Sequence, residues 1–149
     1  MAVDSRAKGS RTETQVKDIL KKYTELAWER VPMSGALDPI HGLKADLYVP
    51  NALNIFAVEV KGYAEDHLCS KLLTSTNPEI LKWWSQCTRQ AKQINKKPLL
   101  IFKFDRSKMF VAYEEIPNFV DHMYIFIKDN SFYVSLLEDW LKLEKVKFI

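Results

Sequence analysis

The segment 55–61, Ile-Phe-Ala-Val-Glu-Val-Lys, constrains what this chain can fold into more than any other. In an extended strand, residues two apart face the same side. Phe56, Val58 and Val60 therefore form one apolar face, while Ala57, Glu59 and Lys61 project from the other. Such a strand is half core and half working surface, and it needs a sheet around it and helices to cover the sheet. Residues 10–27 supply one helix: Val16, Ile19, Leu20, Tyr23, Leu26 and Ala27 recur at helical spacing behind Ser10, which reads as the N-cap. Residues 79–95 supply a second, with Ile80, Trp83, Trp84, Cys87, Ala91 and Ile94 as its apolar stripe. Further strands are predicted at 28–31, 45–49, 98–102 and 110–113, and a hairpin joins 124–127 to 132–136 across Asp129-Asn130. Residues 33–44, with Ser34-Gly35, Pro39 and His41-Gly42, read as a loop; 62–78 show no clear period, and 137–143 close as a short helix. The order predicts an α/β fold with a central mixed sheet flanked by helices.

No linker or repeat divides the 149 residues, so one domain is expected over 1–149, with 1–9 as a flexible basic arm. No apolar run approaches the roughly 20 residues of a membrane-spanning helix, and the first residues lack the apolar stretch of a secretory signal. Cys69 and Cys87 are too few for a disulfide framework and show no zinc spacing. These features together predict an intracellular protein with no membrane partner. His41 and His67 read as hydrogen-bonded loop residues. Neither a phosphate-binding glycine loop, nor a dinucleotide fingerprint, nor a serine triad occurs, so no nucleotide cofactor is expected. The net charge of +3 hides an uneven distribution: residues 82–108 carry eight Lys/Arg against one Asp/Glu. That stretch is either a basic surface suited to a polyanion or a solvated lysine face.

The chemistry concentrates where Asp46 meets Glu59. Asp46 lies on the strand before Glu59, across a short turn that favours antiparallel pairing, and cross-strand neighbours sit about 4.5–5.5 Å apart at Cβ. Two carboxylates this close repel unless a positive charge lies between them. A hard divalent ion, most simply Mg²⁺, meets that need, and Lys61 on the same face can hold a water. The plain alternative is an exposed Glu59–Lys61 ion pair at a sheet edge. Glu13 also has two readings: Ser10-Arg-Thr-Glu13 is a capping box, or Glu13 is a third acidic group at the same metal.

In this order and at these separations, Lys8-Gly9-Ser10-x-x-Glu13, Ser34-Gly35, Asp46 and Glu59-Val60-Lys61 resemble the archaeal-type Holliday junction resolvases, members of the PD-(D/E)xK nuclease superfamily. The likeness extends through Asp66-His67-Leu68 to Pro98-Leu-Leu-Ile-Phe-Lys103-Phe, covering about Lys8 to Phe104. It implies a restriction-endonuclease-like core with Glu13, Asp46, Glu59 and Val60 as metal ligands. Lys61 would be the catalytic lysine and Ser34 a catalytic loop residue near the scissile phosphate. Lys8, Arg11, Arg30, Gln90 and Lys103 would face DNA. Where the family usually has an arginine after the first glutamate, this chain has Thr14, and Arg11 lies one helical turn away.

The resemblance implies a Mg²⁺-dependent endonuclease, with Mn²⁺ as a substitute, that resolves four-way junctions by paired symmetric nicks. It would leave 5′-phosphate and 3′-hydroxyl ends and act as a homodimer, because two-fold DNA symmetry is matched most simply by a C2 pair. Phage and archaeal origins both fit, and a phage protein would work in the host cytoplasm. Two rivals stand beside this reading: another nuclease of the superfamily, restriction-like or a repair enzyme, cutting duplexes, flaps or single strands, and a DNA-binding module without catalysis. Trp83 and Trp84 read as core or dimer-contact residues.

Overall fold

The computed structural model describes residues 5–32 and 45–149 of the chain. Helix α1 (Ser5–Thr24) starts upstream of the expected cap, so Ser10 lies inside the helix and the described residues 5–9 continue it rather than forming a loose arm. The segment before Ser10 contains no proline, and a single Gly9 costs a helix only about 1 kcal/mol. At the other end Thr24 acts as a clamp. Its hydroxyl donates to the Leu20 carbonyl at 2.6 Å and accepts from the Trp28 indole N–H at 2.9 Å. Glu25 then takes the left-handed conformation that commonly ends a helix.

Among the described residues seven strands follow: β1 (Glu29–Arg30), β2 (Leu47–Tyr48), β3 (Phe56–Tyr63), β4 (Lys97–Phe104), β5 (Met109–Tyr113), β6 (Met123–Ile127) and β7 (Asn130–Leu136). Between them lie the single turn α2 (Lys71–Thr74) and the long α3 (Glu79–Gln93), and α4 (Leu137–Glu144) comes last. The spatial order of the strands is β1-β2-β3-β4-β5-β7-β6. Among the described residues, only β3 and β4 pair in parallel. A parallel pair requires a crossover, and α3 supplies it. The hairpin between β6 and β7 turns through Lys128 and Asp129, both at positive φ, which is the geometry of a two-residue primed turn.

Two cores sandwich the sheet. On one side Val58, Val60, Leu99 and Ile101 pack with Val16 and Leu20 of α1 and Leu137, Trp140 and Leu141 of α4. On the other side Leu100, Phe102 and Phe104 pack with Ile80, Trp83, Trp84 and Cys87 of α3. Trp83 and Trp84 are therefore core residues. Alternation along β3 and β4 assigns each side chain to its layer, as the period-2 pattern demands. This is the α/β arrangement, a central mixed sheet flanked by helices, that the order of elements in the sequence predicts. Among the described residues, no helix is long and apolar enough to cross a membrane.

Candidate active site

The site is built on the turn between β2 and β3. Asn54 holds that turn: its side-chain oxygen accepts from the Val49 N–H at 2.7 Å, and its amide donates to the carbonyls of Val49 at 2.9 Å and Ala52 at 3.0 Å. With the turn fixed, Leu47 pairs with Val58 in antiparallel register. Asp46 continues the ladder by donating its N–H to the Val58 carbonyl at 2.8 Å, while its own carbonyl accepts from Val31 at 2.9 Å. Asp46 therefore stands beside Glu59, as the strand spacing predicts. Its side chain completes the pairing, with Oδ2 accepting the Val60 N–H at 2.7 Å.

Glu59 is only 7% exposed and is one of three buried polar residues among those described. Burial, then the neighbouring Asp46 charge, pushes its carboxyl up to about 8; Lys61 opposes the shift and Glu13 adds to it. Asp46 is raised to about 6 by burial, against the Val60 hydrogen bond, with Glu13 raising it further and Lys61 and Arg30 lowering it. Desolvation and like charge act together here. Neither carboxylate has a salt-bridge partner among the described residues. Two adjoining, half-desolvated hard oxygen ligands are the donor chemistry a divalent cation satisfies. The Cys87 thiol, on α3 under this face, is pushed up by burial and by Glu59, which makes it an unreactive core group.

Glu13 stands near enough for its charge to raise both carboxylates, and its own carboxylate is held by Arg30. Arg30 pairs with Leu47, whose side chain lies in the core under α1, so Arg30 shares that face of the sheet and meets Glu13 there. The Arg30 Nε donates to Glu13 Oε2 at 2.9 Å. Among the described residues, no three His, Cys, Asp or Glu side chains converge as metal ligands do. The capping-box reading of Glu13 falls, because Ser10 is inside the helix.

Lys61 follows Glu59 on the same face and is partly exposed. Lys103 is the β4 partner of Gly62 and, with Arg11, Gln15 and Asp105, lines a cleft of about 250 Å³ between α1 and β4. Gln90 lies three residues beyond Cys87 on α3, with its Oε1 buried and without a hydrogen-bond partner. Lys8 lies on α1. Ser34 and the rest of 33–44 fall outside the described residues. His67 sits in an aromatic cluster with Tyr63, Trp83 and Phe104 rather than in a polar loop network. A larger hollow of about 380 Å³, floored by Phe56, Tyr113 and Trp140, lies at the opposite end of β3 and β4. Volume therefore does not mark the chemistry. Sequence reasoning missed the close approach of α1 to Gly62, although a glycine inside a strand signals such an approach.

A mixed sheet between helices, with a half-buried aspartate beside a buried glutamate and a lysine two residues after the glutamate, defines a nuclease of the PD-(D/E)xK class. The chain belongs to the phage PDDEXK endonuclease family, matching over residues 4–146 the family described as "Phage putative PDDEXK endonuclease". It is 44% identical over 150 residues to Protein D14 of Escherichia phage T5, spanning 95% of this chain and 94% of that one. It is similar in structure to Hjc, a Holliday junction resolvase from Archaeoglobus fulgidus, with a TM-score of 0.44 and 18% identity over 89% of this chain and 93% of that one. Nucleases of this class generally use divalent metal ions.

Proposed function

We propose that this endonuclease is Mg²⁺-dependent and resolves four-way DNA junctions as a homodimer, by paired symmetric nicks that leave 5′-phosphate and 3′-hydroxyl ends. The observation that carries the chemistry is the buried Glu59 beside the half-buried Asp46, with Lys61 on the same face as Glu59. Junction selectivity is supported by the ordered string from Lys8 to Lys61 that resembles the junction resolvases.

Asp46 and Glu59, with Val60 between Glu59 and Lys61, would hold the cation, for which Mn²⁺ would substitute. When bound, the ion supplies charge neutralisation at the phosphoryl and leaving oxygens. The chain's own residues do the rest. Asp46 keeps Oδ2 on the Val60 N–H, which fixes the carboxylate's orientation and leaves Oδ1 available. The Lys61 Nζ projects beside Glu59, where it orients the attacking water and balances charge on the entering oxygen. Arg30, held by Glu13, keeps a guanidinium at the mouth of the site. Arg11 and Lys103 flank the adjoining cleft as phosphate contacts. The resemblance would also give Ser34 a role at the scissile phosphate and Lys8 and Gln90 roles in DNA binding.

The test is a mapped cleavage assay with Mg²⁺ on a synthetic four-way junction and its linear arms, run beside Asp46→Asn protein. Symmetric nicks on opposite strands of the junction alone, lost in the variant while junction binding persists, are expected. Equal cutting of every DNA would refute the structure selectivity. Binding of DNA with no cleavage by folded wild-type protein would make the chain a binding module. A monomer at the DNA-binding concentration would refute the dimer.

A further inference from the structure

The α1-facing positions of β3 are Phe56, Val58, Val60 and Gly62, and at the last of them there is no side chain. A Cβ placed on Gly62 would lie 2.9 Å from Thr12 Oγ1, 3.5 Å from its Cγ2 and 3.6 Å from its Cβ. The first distance is closer than real Cβ atoms approach anything, and all three neighbours belong to one threonine. Thr12 is 7% exposed and its side chain lies against the bare backbone of the strand. A β-branched residue in a helix is stiff at χ1, so it yields poorly to an added methyl group. Glycine inside a strand is disfavoured by about 0.5–1 kcal/mol relative to alanine, so its presence here needs a reason, and the helix contact supplies one. The contact also has a telling place in the chain. Gly62 directly follows Lys61, and Thr12 directly precedes Glu13.

We infer that the contact between Gly62 and Thr12 is the positioning contact of the site: it seats α1 on β3 at the depth that brings the Glu13–Arg30 pair up to the Asp46–Glu59 carboxylates. Gly62 and Thr12 are thus positioning residues, acting through Glu13 and Arg30, and the inference rests on the nuclease reading above. Two other observations agree. Glu13 of α1 is bonded to Arg30 of β1, whose neighbour Val31 donates its N–H to the Asp46 carbonyl at 2.9 Å, so the depth of α1 is felt beside the pair. The cleft bordered by Arg11, Gln15 and Lys103 opens beside the same contact, and Gly62 is part of its wall.

The test is a steric rescue. Gly62→Ala adds the clashing methyl group; Thr12→Ala removes the two nearest atoms and leaves the third at 3.6 Å, an ordinary contact. A misplacement approaching 1 Å can cost about 100-fold in rate. Gly62→Ala should therefore lose about 10-fold or more in kcat on the DNA the wild type cuts, with KM within about threefold. Thr12→Ala should lose about threefold, and the double variant should recover to within about threefold of Thr12→Ala. If Gly62→Ala fails to fold, Thr12→Ile presses on the same contact from the helix side and should give the same kcat loss. Full activity of Gly62→Ala, or of Thr12→Ile where that is the variant read, overturns the inference, as does a folded double variant no better than Gly62→Ala. In either case the nuclease reading stands. Wild-type protein that cleaves no DNA fails the nuclease reading instead, and the inference falls with it.

Discussion

Replacing Glu59 by glutamine should make the metal-free protein more stable while abolishing its cleavage. In the folded chain this carboxyl is pushed from its ordinary 4.5 to about 8, first by burial and then by the Asp46 charge. Between those values the folded state binds more protons than the unfolded one, so stability falls as pH rises through the window and levels off above it. Carrying the carboxyl from 4.5 to about 8 corresponds to a ceiling of about 5 kcal/mol against the charged form. Glutamine keeps the shape without the charge and also removes the repulsion on Asp46. The variant's advantage should be small at pH 4.5 and reach about 2–5 kcal/mol at pH 9. For a chain of this length that is a rise in Tm of roughly 5–15 °C. The assay is thermal unfolding from pH 4.5 to 9 in EDTA, repeated with excess Mg²⁺. With the ion present the wild type should regain stability by mass action and the variant should not. A Tm difference that ignores pH in EDTA, or a variant less stable than wild type at pH 9, would refute the account of Glu59 as a destabilised buried charge.

Asn54→Ala removes the side chain that bridges Val49 and Ala52 across the β2–β3 turn, and should cost about 1–3 kcal/mol in urea unfolding. Because the same turn sets Asp46 against Glu59, Mn²⁺ affinity measured by calorimetry should weaken with it. Glu144 accepts the N–H groups of Asn118, Phe119 and Val120 at 2.7, 2.7 and 2.9 Å. Burial alone would raise its pKa, but those three donors hold it below the ordinary value. Its contribution is thus present above the ordinary carboxylate range and fades as pH falls through the lowered one. Glu144→Ala should cost about 1–2 kcal/mol at pH 7, shrinking towards pH 3, with cleavage intact. Asp129 sits at φ 65° in the β6–β7 turn, so Asp129→Gly should raise stability by a few tenths to about 1 kcal/mol in the same unfolding assay.

Much of the site was legible because β3 announces itself. Its alternation separates Val58 and Val60 from Glu59 and Lys61, and the short turn before it brings Asp46 alongside, as the register bears out. The apolar stripe of α3 likewise marked Trp83 and Trp84 as core or dimer-contact residues, and the structure buries both in the core. What could not be read depended on contacts distant in sequence. Glu13 looked like a helix-start residue because Ser10 precedes it by three, yet its partner is Arg30, 17 residues away. The start of α1 was missed because residues 5–9 lack the apolar period that marks a helix. The neighbour relations β5-β7-β6 were hidden too, since no local pattern says that β7 inserts between β5 and its own hairpin partner.

The two-residue length of β2 against the eight of β3 leaves much of the latter's margin without a partner strand among the described residues. An open margin of β backbone is an invitation to pair with another chain, and here a carboxylate closes part of it by taking the Val60 N–H. Asp46 thus covers a stretch of strand edge that would otherwise stand open. Asparagine at this position still offers an acceptor oxygen, whereas alanine leaves the N–H bare. The two substitutions, equivalent as ways to silence the site, should part company during refolding at high protein concentration, where the alanine variant aggregates first.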